Sequence, residues 1–146
     1  MIALHKILGS KVVIKSIPSS VYETKASQNR ISEVDAQRKC KSSEFVLGII
    51  DHFVINLTHY IVTKYEVGGD LSAYQAAQGQ AILSEAHTLH IFTKIARGLF
   101  DIHREGIVHS DIKHKNIFLG CNSRHPKVKI ADFGLACKLE EDECFI

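Results

Sequence analysis

The spacing of hydrophobic positions along the chain changes near residue 66. Before it, β-branched and aromatic residues are concentrated in three short runs, residues 11–17, 45–53 and 59–65. Such compact runs are typical of β-strands. The second and third runs are separated by a short segment that contains Asn56, so we expect an antiparallel pair. Residues 27–41 are polar with a helical bias, and we expect one helix there.

After residue 66 the spacing becomes helical. Gly68 and Gly69 interrupt the pattern, and Asp70 is placed to cap a short helix. From Ser84 to Arg104 apolar residues recur every three or four positions, at Leu89, Phe92, Ile95, Leu99 and Ile102. This periodicity predicts an amphipathic helix that ends at Gly106. We expect Phe100 and Ile102 to belong to the core.

Short β-like pieces follow the long helix, with the sequences I-V-H, N-I-F-L and V-K-I-A. The strands therefore lie mostly in the first half of the chain and the long helix in the second. This order favours an α+β fold of two small lobes joined near residues 66–69. A cleft between the lobes is expected.

Composition narrows the class of protein. The chain has 146 residues, 45% hydrophobic and 23% charged, which favours one globular unit over a disordered chain, a collagen or a coiled-coil rod. The net charge is +2, and the basic residues do not cluster, so we expect no nucleic-acid partner.

No apolar run approaches the ~20 residues of a membrane-spanning helix, so we expect no membrane partner. The first ten residues make a poor signal peptide, which favours a cytoplasmic or nuclear location. The four cysteines form no C-x-x-C pair and are expected to be free thiols. Nine histidines are present, but no H-E-x-x-H or Cys/His set completes a metal site.

The residues with chemical potential are concentrated in the polar loops. The segment H-S-D-I-K-H-K-N at 109–116 is followed by apolar I-F-L, and Asp132-Phe133-Gly134 comes sixteen residues after Asn116. In this order and spacing the sequence resembles the eukaryotic protein kinases, which carry H-x-D-x-K-x-x-N and D-F-G. The V-V-I-K segment ending at Lys15 resembles a third kinase motif. Together with N-I-F-L and G-G-D-L, it looks most like the NIMA-related serine/threonine kinases.

The resemblance implies a partial, protein-kinase-like bilobal fold. Residues 1–65 would form the small lobe without its Gly-rich loop, and residues 66–146 the hinge and first part of the larger lobe. It implies ATP and Mg²⁺ as cofactors and the hydroxyl group of a protein serine or threonine as substrate.

The same resemblance assigns roles to the loop residues. Asp111 would orient the substrate hydroxyl and accept its proton, and Lys113 would meet the γ-phosphate. Asp132 and Asn116 would offer hard oxygen ligands to Mg²⁺.

For the nucleotide, the resemblance implies that Lys15 holds the α- and β-phosphates, oriented by Glu33 on the following helix. Thr63 would guard the back pocket, and Lys64 to Val67 would form the hinge. The Lys64 carbonyl and the Glu66 N–H would pair with the adenine, and Val13 and Phe118 would enclose it. Asp70 would meet the ribose.

Several readings stay open. Taken singly, Lys15 and Glu33 are ordinary surface charges, Asp132-Phe133-Gly134 is a turn, and Gly68-Gly69 is a linker. Gln37 stands one turn after Glu33, where kinases have an apolar residue, so either the register is shifted or the internal packing there is weaker. Ser110 replaces the usual Arg, which argues against control by a phosphorylated activation loop.

The chain also shows no Gly-rich loop before Lys15 and no A-P-E motif after Gly134. The alternative function is therefore a catalytically inactive nucleotide-binding or scaffold pseudokinase fragment. An unrelated structural domain would require the whole motif set to be accidental.

Overall fold

The computed structural model describes residues 1–5, 9–24, 30–77, 79, 83–121 and 125–139. Four strands in the first half of the chain form one antiparallel sheet: β1 (Ile2–Leu4), β2 (Lys11–Pro18), β3 (Ile49–Ile55) and β4 (Thr58–Lys64). Their order across the sheet is β1-β2-β4-β3. The predicted pairing of the second and third hydrophobic runs is confirmed.

The register of the sheet places several predicted site residues on one face. Val13 lies opposite Thr63, and Lys15 lies opposite Ile61. Because side chains two residues apart on a strand point to the same side, all four share a face. The β3–β4 turn has Asn56 and Leu57 at φ values of 47° and 56°. Two left-handed residues give a turn whose twist matches the strands.

The first helical region differs from its prediction. A short helix α1 (Ser19–Thr24) follows β2, and α2 runs only over Glu33–Lys39 before a 3-10 turn at Cys40–Ser42. Residues 27–29 of the predicted 27–41 helix lie outside the described residues, and Arg30 makes a β-bridge with Cys137. The helix begins late because the Ser32 hydroxyl accepts the Asp35 N–H at 3.1 Å, which fixes the N-cap there.

The strand predicted at 45–53 also begins later, at Ile49. Residues 45–47 instead attach to strand β7 (Val128–Ile130): the Leu47 N–H donates to the Ile130 carbonyl at 2.9 Å, and the Ile130 N–H donates to the Phe45 carbonyl at 2.7 Å. This connection joins the sheet to the second half of the chain.

Helices α3 (Leu71–Ala77) and α4 (Glu85–Arg104) confirm the helical pattern after residue 66. Ser84 caps α4, and Gly106 follows its end at φ +69°. The assignment of Phe100 to the core is wrong, since the residue is 65% exposed, whereas Ile102 is fully buried. Leu89 and Phe92 are exposed as well, so the apolar stripe of α4 is covered only in part.

The short β-like pieces form two small ladders. Strand β5 (Ile107–Val108) pairs with β8 (Cys137–Lys138), and β6 (Ile117–Leu119) pairs with β7. A β-carbon on Gly68 would lie 2.6 Å from the Leu119 carbonyl oxygen, so this position requires glycine. The reading of Gly68-Gly69 as a simple linker is therefore wrong.

The buried side chains form two groups. The larger, which we call the C-terminal core, contains Ile102, Ile107, Leu119, Ile130 and Phe133, together with Ala36 and Cys40 from the α2 region. The smaller, the N-terminal cluster, consists of Ile17, Val34 and Ile61. Within the described residues, no helix combines the length and apolar character needed to cross a membrane.

Candidate active site

Three charged side chains from distant parts of the chain meet beneath the sheet. The Lys15 ammonium donates to the Glu33 carboxylate at 2.7 and 2.9 Å and to Asp132 Oδ1 at 2.8 Å. Strand β2, helix α2 and the segment after β7 each supply one member. We call this group the ion-pair cluster. The pairing that the sequence predicted for Lys15 and Glu33 is present, so the helix register was right.

The ion-pair cluster holds Lys15 in its charged form. Partial burial by itself would lower the pKa of the ammonium group. The negative charges of Glu33 and Asp132, and the hydrogen bonds that they accept, outweigh it, so the pKa lies above its usual value. A permanently charged lysine here suits an anionic ligand. The reading of Lys15 and Glu33 as ordinary surface charges does not fit this geometry.

A second group of polar side chains comes from one loop, within the six residues 111–116. Asp111 Oδ2 accepts from the Lys113 ammonium at 2.7 Å and from the Asn116 side-chain amide at 3.0 Å. The same amide donates to the Asp111 backbone carbonyl at 2.9 Å. The hydrogen bond from Lys113 lowers the pKa of the Asp111 carboxyl, with Asn116 contributing. We call this group the loop cluster.

His109 braces the loop through both of its ring nitrogens. Its Nε2 lies 3.0 Å from the Ala131 carbonyl, and its Nδ1 accepts the Asp111 N–H at 3.2 Å. A carbonyl can only accept, so the proton sits on Nε2 and the ring is neutral. Burial lowers the His109 pKa and supports that form. The ring packs on Phe133 with centroids 4.7 Å apart.

The backbone on either side of the site is strained. Ser110 has φ +61° and Asp132 has φ +64°, a region that non-glycine residues seldom adopt. Such outliers persist only where the surroundings hold them, and they concentrate at functional sites. Gly134 N–H donates to Asp132 Oδ1 at 3.3 Å, which helps to hold that carboxylate in place.

A cleft of about 170 Å³ brings most of the predicted nucleotide residues together. Val13 and Thr63 line it from the sheet, and Phe118 lines it from the opposite side. The remaining predicted residues on its walls are Lys15, Glu33, Asn116 and Asp132.

Other predicted site residues lie outside the walls of this cleft. Lys64 and Glu66 are not among its lining residues, and Lys113 lines a larger apolar groove between α3 and α4. Asp70 Oδ1 accepts the Ala73 N–H at 2.9 Å, which confirms it as the cap of α3. Its contact with a ribose stays a prediction.

Sequence reasoning missed five residues of the cleft: Gln37, Leu47, Ile61, Lys115 and Ala131. Ile61 could have been found, because it lies two residues before Thr63 on the same strand face. Lys115 and Ala131 adjoin predicted site residues. Leu47 gave no signal, since its place depends on the contact between residues 45–47 and β7.

The donor set fits a magnesium ion. Mg²⁺ prefers oxygen ligands and usually takes one or two carboxylates together with substrate phosphates. Asp132 offers a carboxylate to the cleft, and the Asn116 amide nitrogen is turned toward Asp111, which leaves the amide oxygen at its other end. The described residues hold no group of three or more His, Cys, Asp or Glu arranged as a metal site, and a phosphate-bound Mg²⁺ does not need one.

The protein kinase class is defined by an antiparallel sheet whose lysine pairs with a glutamate on the following helix. The sheet is set over a loop with Asp and Asn and over a second Asp before Phe-Gly. The sequence profile of the protein kinase domain matches residues 1–145. The chain therefore belongs to the protein kinase family.

Its relatives are serine/threonine kinases. The chain is 32% identical over 138 residues to serine/threonine-protein kinase ATG1c of Arabidopsis thaliana, covering 94% of this chain and 18% of that protein. It is 31% identical to the probable serine/threonine-protein kinase zyg-1 of Caenorhabditis elegans, covering 92% and 18%. Mouse serine/threonine-protein kinase Nek2 is 35% identical over 128 residues, covering 81% and 28%. The chain thus spans between 18% and 28% of the length of these proteins.

Proposed function

We propose that this protein transfers the γ-phosphate of ATP to a serine or threonine hydroxyl of a protein substrate. The observation that carries the proposal is the ion-pair cluster. Lys15 is held between Glu33 and Asp132 on the wall of a cleft that is also lined by the apolar side chains of Val13, Ile61 and Phe118. A fixed ammonium beside a carboxylate ligand for Mg²⁺ suits the phosphates of a nucleotide.

In this function Lys15 binds the α- and β-phosphates, and Glu33 fixes its position. Val13 and Phe118 enclose the adenine, with Thr63 at the back of the pocket. The hinge runs from Lys64 to Val67, where the Lys64 carbonyl and the Glu66 N–H pair with the adenine and Asp70 meets the ribose. This hinge also separates the two lobes, which are residues 1–65 and 66–146.

Asp132 and Asn116 would hold Mg²⁺, which neutralises phosphate charge when bound. Asp111 orients the substrate hydroxyl and accepts its proton, and Lys113 and Asn116 keep its carboxylate aimed. Because the Asp111 pKa is depressed, its carboxylate is ionised at neutral pH, as a proton acceptor must be.

The test compares two substitutions in the full-length protein. Asp132→Asn removes a metal ligand and should reduce phosphoryl transfer at least about a hundredfold, since one aimed electrostatic contact is worth on the order of 3 kcal/mol. Asp111→Asn should lower turnover while ATP affinity, measured by calorimetry, stays near the wild-type value. Asp51→Asn, the same change on the outer strand β3, is the matched control and should alter neither.

The competing function is a nucleotide-binding scaffold without catalysis. A wild-type protein that binds Mg²⁺-ATP but phosphorylates no member of a Ser/Thr peptide pool would establish that function instead. Absence of ATP binding by a folded sample would contradict the assignment of the cleft itself.

A further inference from the structure

Gln37 is a buried polar residue of helix α2. It lies one turn after Glu33 on α2, is 3% exposed, and lines the cleft. Its side-chain amide Nε2 donates to the backbone carbonyl of Leu47. The orientation of the amide follows from chemistry, because a carbonyl oxygen accepts hydrogen bonds and only the amide nitrogen can donate one.

The partner of Gln37 is itself fastened to the strand that leads to Asp132. The Leu47 N–H donates to the Ile130 carbonyl at 2.9 Å, and Val46 forms a β-bridge with Ile130. Ile130 lies two residues before Asp132. The hydrogen bonds thus run without a break from α2, through the backbone of Leu47, to β7.

Both ends of this path carry a carboxylate that contacts Lys15. Glu33 lies at the α2 end and Asp132 at the β7 end. A shift of α2 relative to β7 would separate the two carboxylates and break the ion-pair cluster. Hydrogen bonds are directional, so the Gln37 contact restricts such a shift more than an apolar contact at the same place would.

We propose that Gln37 is a positioning residue for the candidate active site. It holds the Glu33 helix in register with the strand before Asp132 through the Leu47 carbonyl, and so fixes Lys15 for phosphate binding. The proposal rests on the proposed function, since it takes the ion-pair cluster to be the nucleotide site. The alternative is that Gln37 only adds stability, while the apolar contacts of Ala36 and Cys40 in the C-terminal core set the helix position.

The first test is a double-mutant cycle on ATP affinity. Gln37→Met keeps the length of the side chain but removes the donor, and it should weaken ATP binding about tenfold, the size expected for one buried hydrogen bond. Glu33→Gln should also weaken binding. If Gln37 acts through Glu33, the double variant binds no more weakly than Glu33→Gln alone. The proposal is overturned if the two substitutions weaken ATP binding independently, so that their factors multiply in the double variant. It is also overturned if Gln37→Met leaves ATP affinity unchanged.

Ser43→Ala is the matched control. The Ser43 hydroxyl donates to Asp101 on α4 at 2.5 Å, so it anchors the same loop without reaching Glu33. Its loss should lower the melting temperature as Gln37→Met does, but leave ATP affinity unchanged. Equal losses of affinity in the two variants would show that loop stability alone matters and would contradict a positioning role.

A measurement without nucleotide separates this proposal from the proposed function. In the wild-type chain, amide hydrogen exchange should be slow over 33–39 and 45–47 together. Gln37→Met should accelerate both segments, while Ser43→Ala should accelerate only the Phe45 amide, whose N–H donates to the Ser43 hydroxyl, and leave Leu47 and residues 33–39 slow. If the wild-type chain binds no ATP yet shows this pattern, the positioning claim stands and the function fails. Rapid exchange of residues 33–39 in the wild type, or no change in Gln37→Met, would contradict the positioning claim even if the variant proves too unstable for binding studies.

Discussion

The ion-pair cluster and the loop cluster supply polar groups to the same site but are built in opposite ways. Lys15 reaches Glu33 across 18 positions of sequence and Asp132 across 117. Asp111, Lys113 and Asn116 are all within six residues. The loop cluster therefore needs one loop conformation, whereas the ion-pair cluster needs the sheet, α2 and β7 to be packed together.

This difference separates two kinds of dependence on the fold. Bringing distant segments together costs chain entropy, which packing must offset before the contacts of the ion-pair cluster form. The N-terminal cluster and the path through Leu47 provide that packing on one side, and the C-terminal core on the other. Loosening of the N-terminal cluster should thus open the ion-pair cluster while the loop cluster stays intact.

The largest expected effect comes from a residue that serves both clusters. Phe133 is fully buried, adjoins Asp132 in sequence, and packs on His109 below the loop. Phe133→Ala should lower the free energy of unfolding by about 3–5 kcal/mol through lost burial and the cavity left behind. Urea unfolding followed by circular dichroism measures the change.

Phe92→Ala is the control for that substitution, because Phe92 is 67% exposed on α4. The same deletion at a surface should change stability by no more than about 0.5 kcal/mol. If the two variants unfolded at the same urea concentration, the C-terminal core would not be centred on Phe133, and the shared dependence of the two clusters would be disproved.

The parts of the fold that the sequence predicted are those with a clear local period. The strands from Lys11 and from His59, and the helix from Glu85 to Arg104, follow directly from their hydrophobic spacing. The start of α2 was harder to predict, because a polar stretch gives no hydrophobic period from which to place it, and the Ser32 cap that fixes it is one of several polar residues there. The apolar run predicts a strand over 45–47 as well, but these residues attach to β7, a partner that the local pattern does not identify.

Exposure on α4 shows the same limit. Periodicity identified the apolar stripe but not which part of it is covered, and it could not place Phe100 outside the core. At the site, Asp111, Asn116 and Asp132 could be predicted because each belongs to a short sequence motif. The pairing of Lys15 with Glu33 required the resemblance to a family, and the role of Gln37 required the position of Leu47.

A smaller effect should distinguish the two clusters directly. Val34 is 2% exposed in the N-terminal cluster and follows Glu33 in sequence. Val34→Ala removes two buried carbons and should cost about 2 kcal/mol. Because the loss loosens α2, ATP affinity should fall, while the NMR signal of the Asn116 side-chain amide, which reports the loop cluster, should stay unchanged.

Ile102→Val offers the comparison, since Ile102 is fully buried in the C-terminal core but lies on α4, outside the three elements that build the ion-pair cluster. It should cost roughly 1 kcal/mol of stability without a selective loss of ATP affinity. If Val34→Ala shifted the Asn116 signal as strongly as it weakened ATP binding, the two clusters would not respond separately to packing.

The smallest expected effect concerns pH and arises where the sheet faces α1 and α2, away from the loop cluster. His52 Nε2 lies 3.1 Å from His59 Nδ1, and Tyr22 of α1 stacks on His59 with centroids 3.8 Å apart. Burial lowers the His52 pKa, as do the positive charges of His59 and Arg38, whereas Asp35 and Asp51 oppose them. The unfolded chain, with a His52 pKa near 6.5, therefore binds more protons than the folded chain below that pH. Stability from this group is complete above pH 6.5 and is lost as the pH falls toward the lowered pKa.

Melting temperatures measured from pH 7.5 to 5 should decline, and His52→Gln should reduce the decline while leaving the Asn116 amide signal unaltered at every pH. An identical pH slope in wild type and His52→Gln would show that other histidines cause the decline, and a pH-dependent Asn116 signal that His52→Gln abolishes would show that the sheet and the loop cluster are coupled after all.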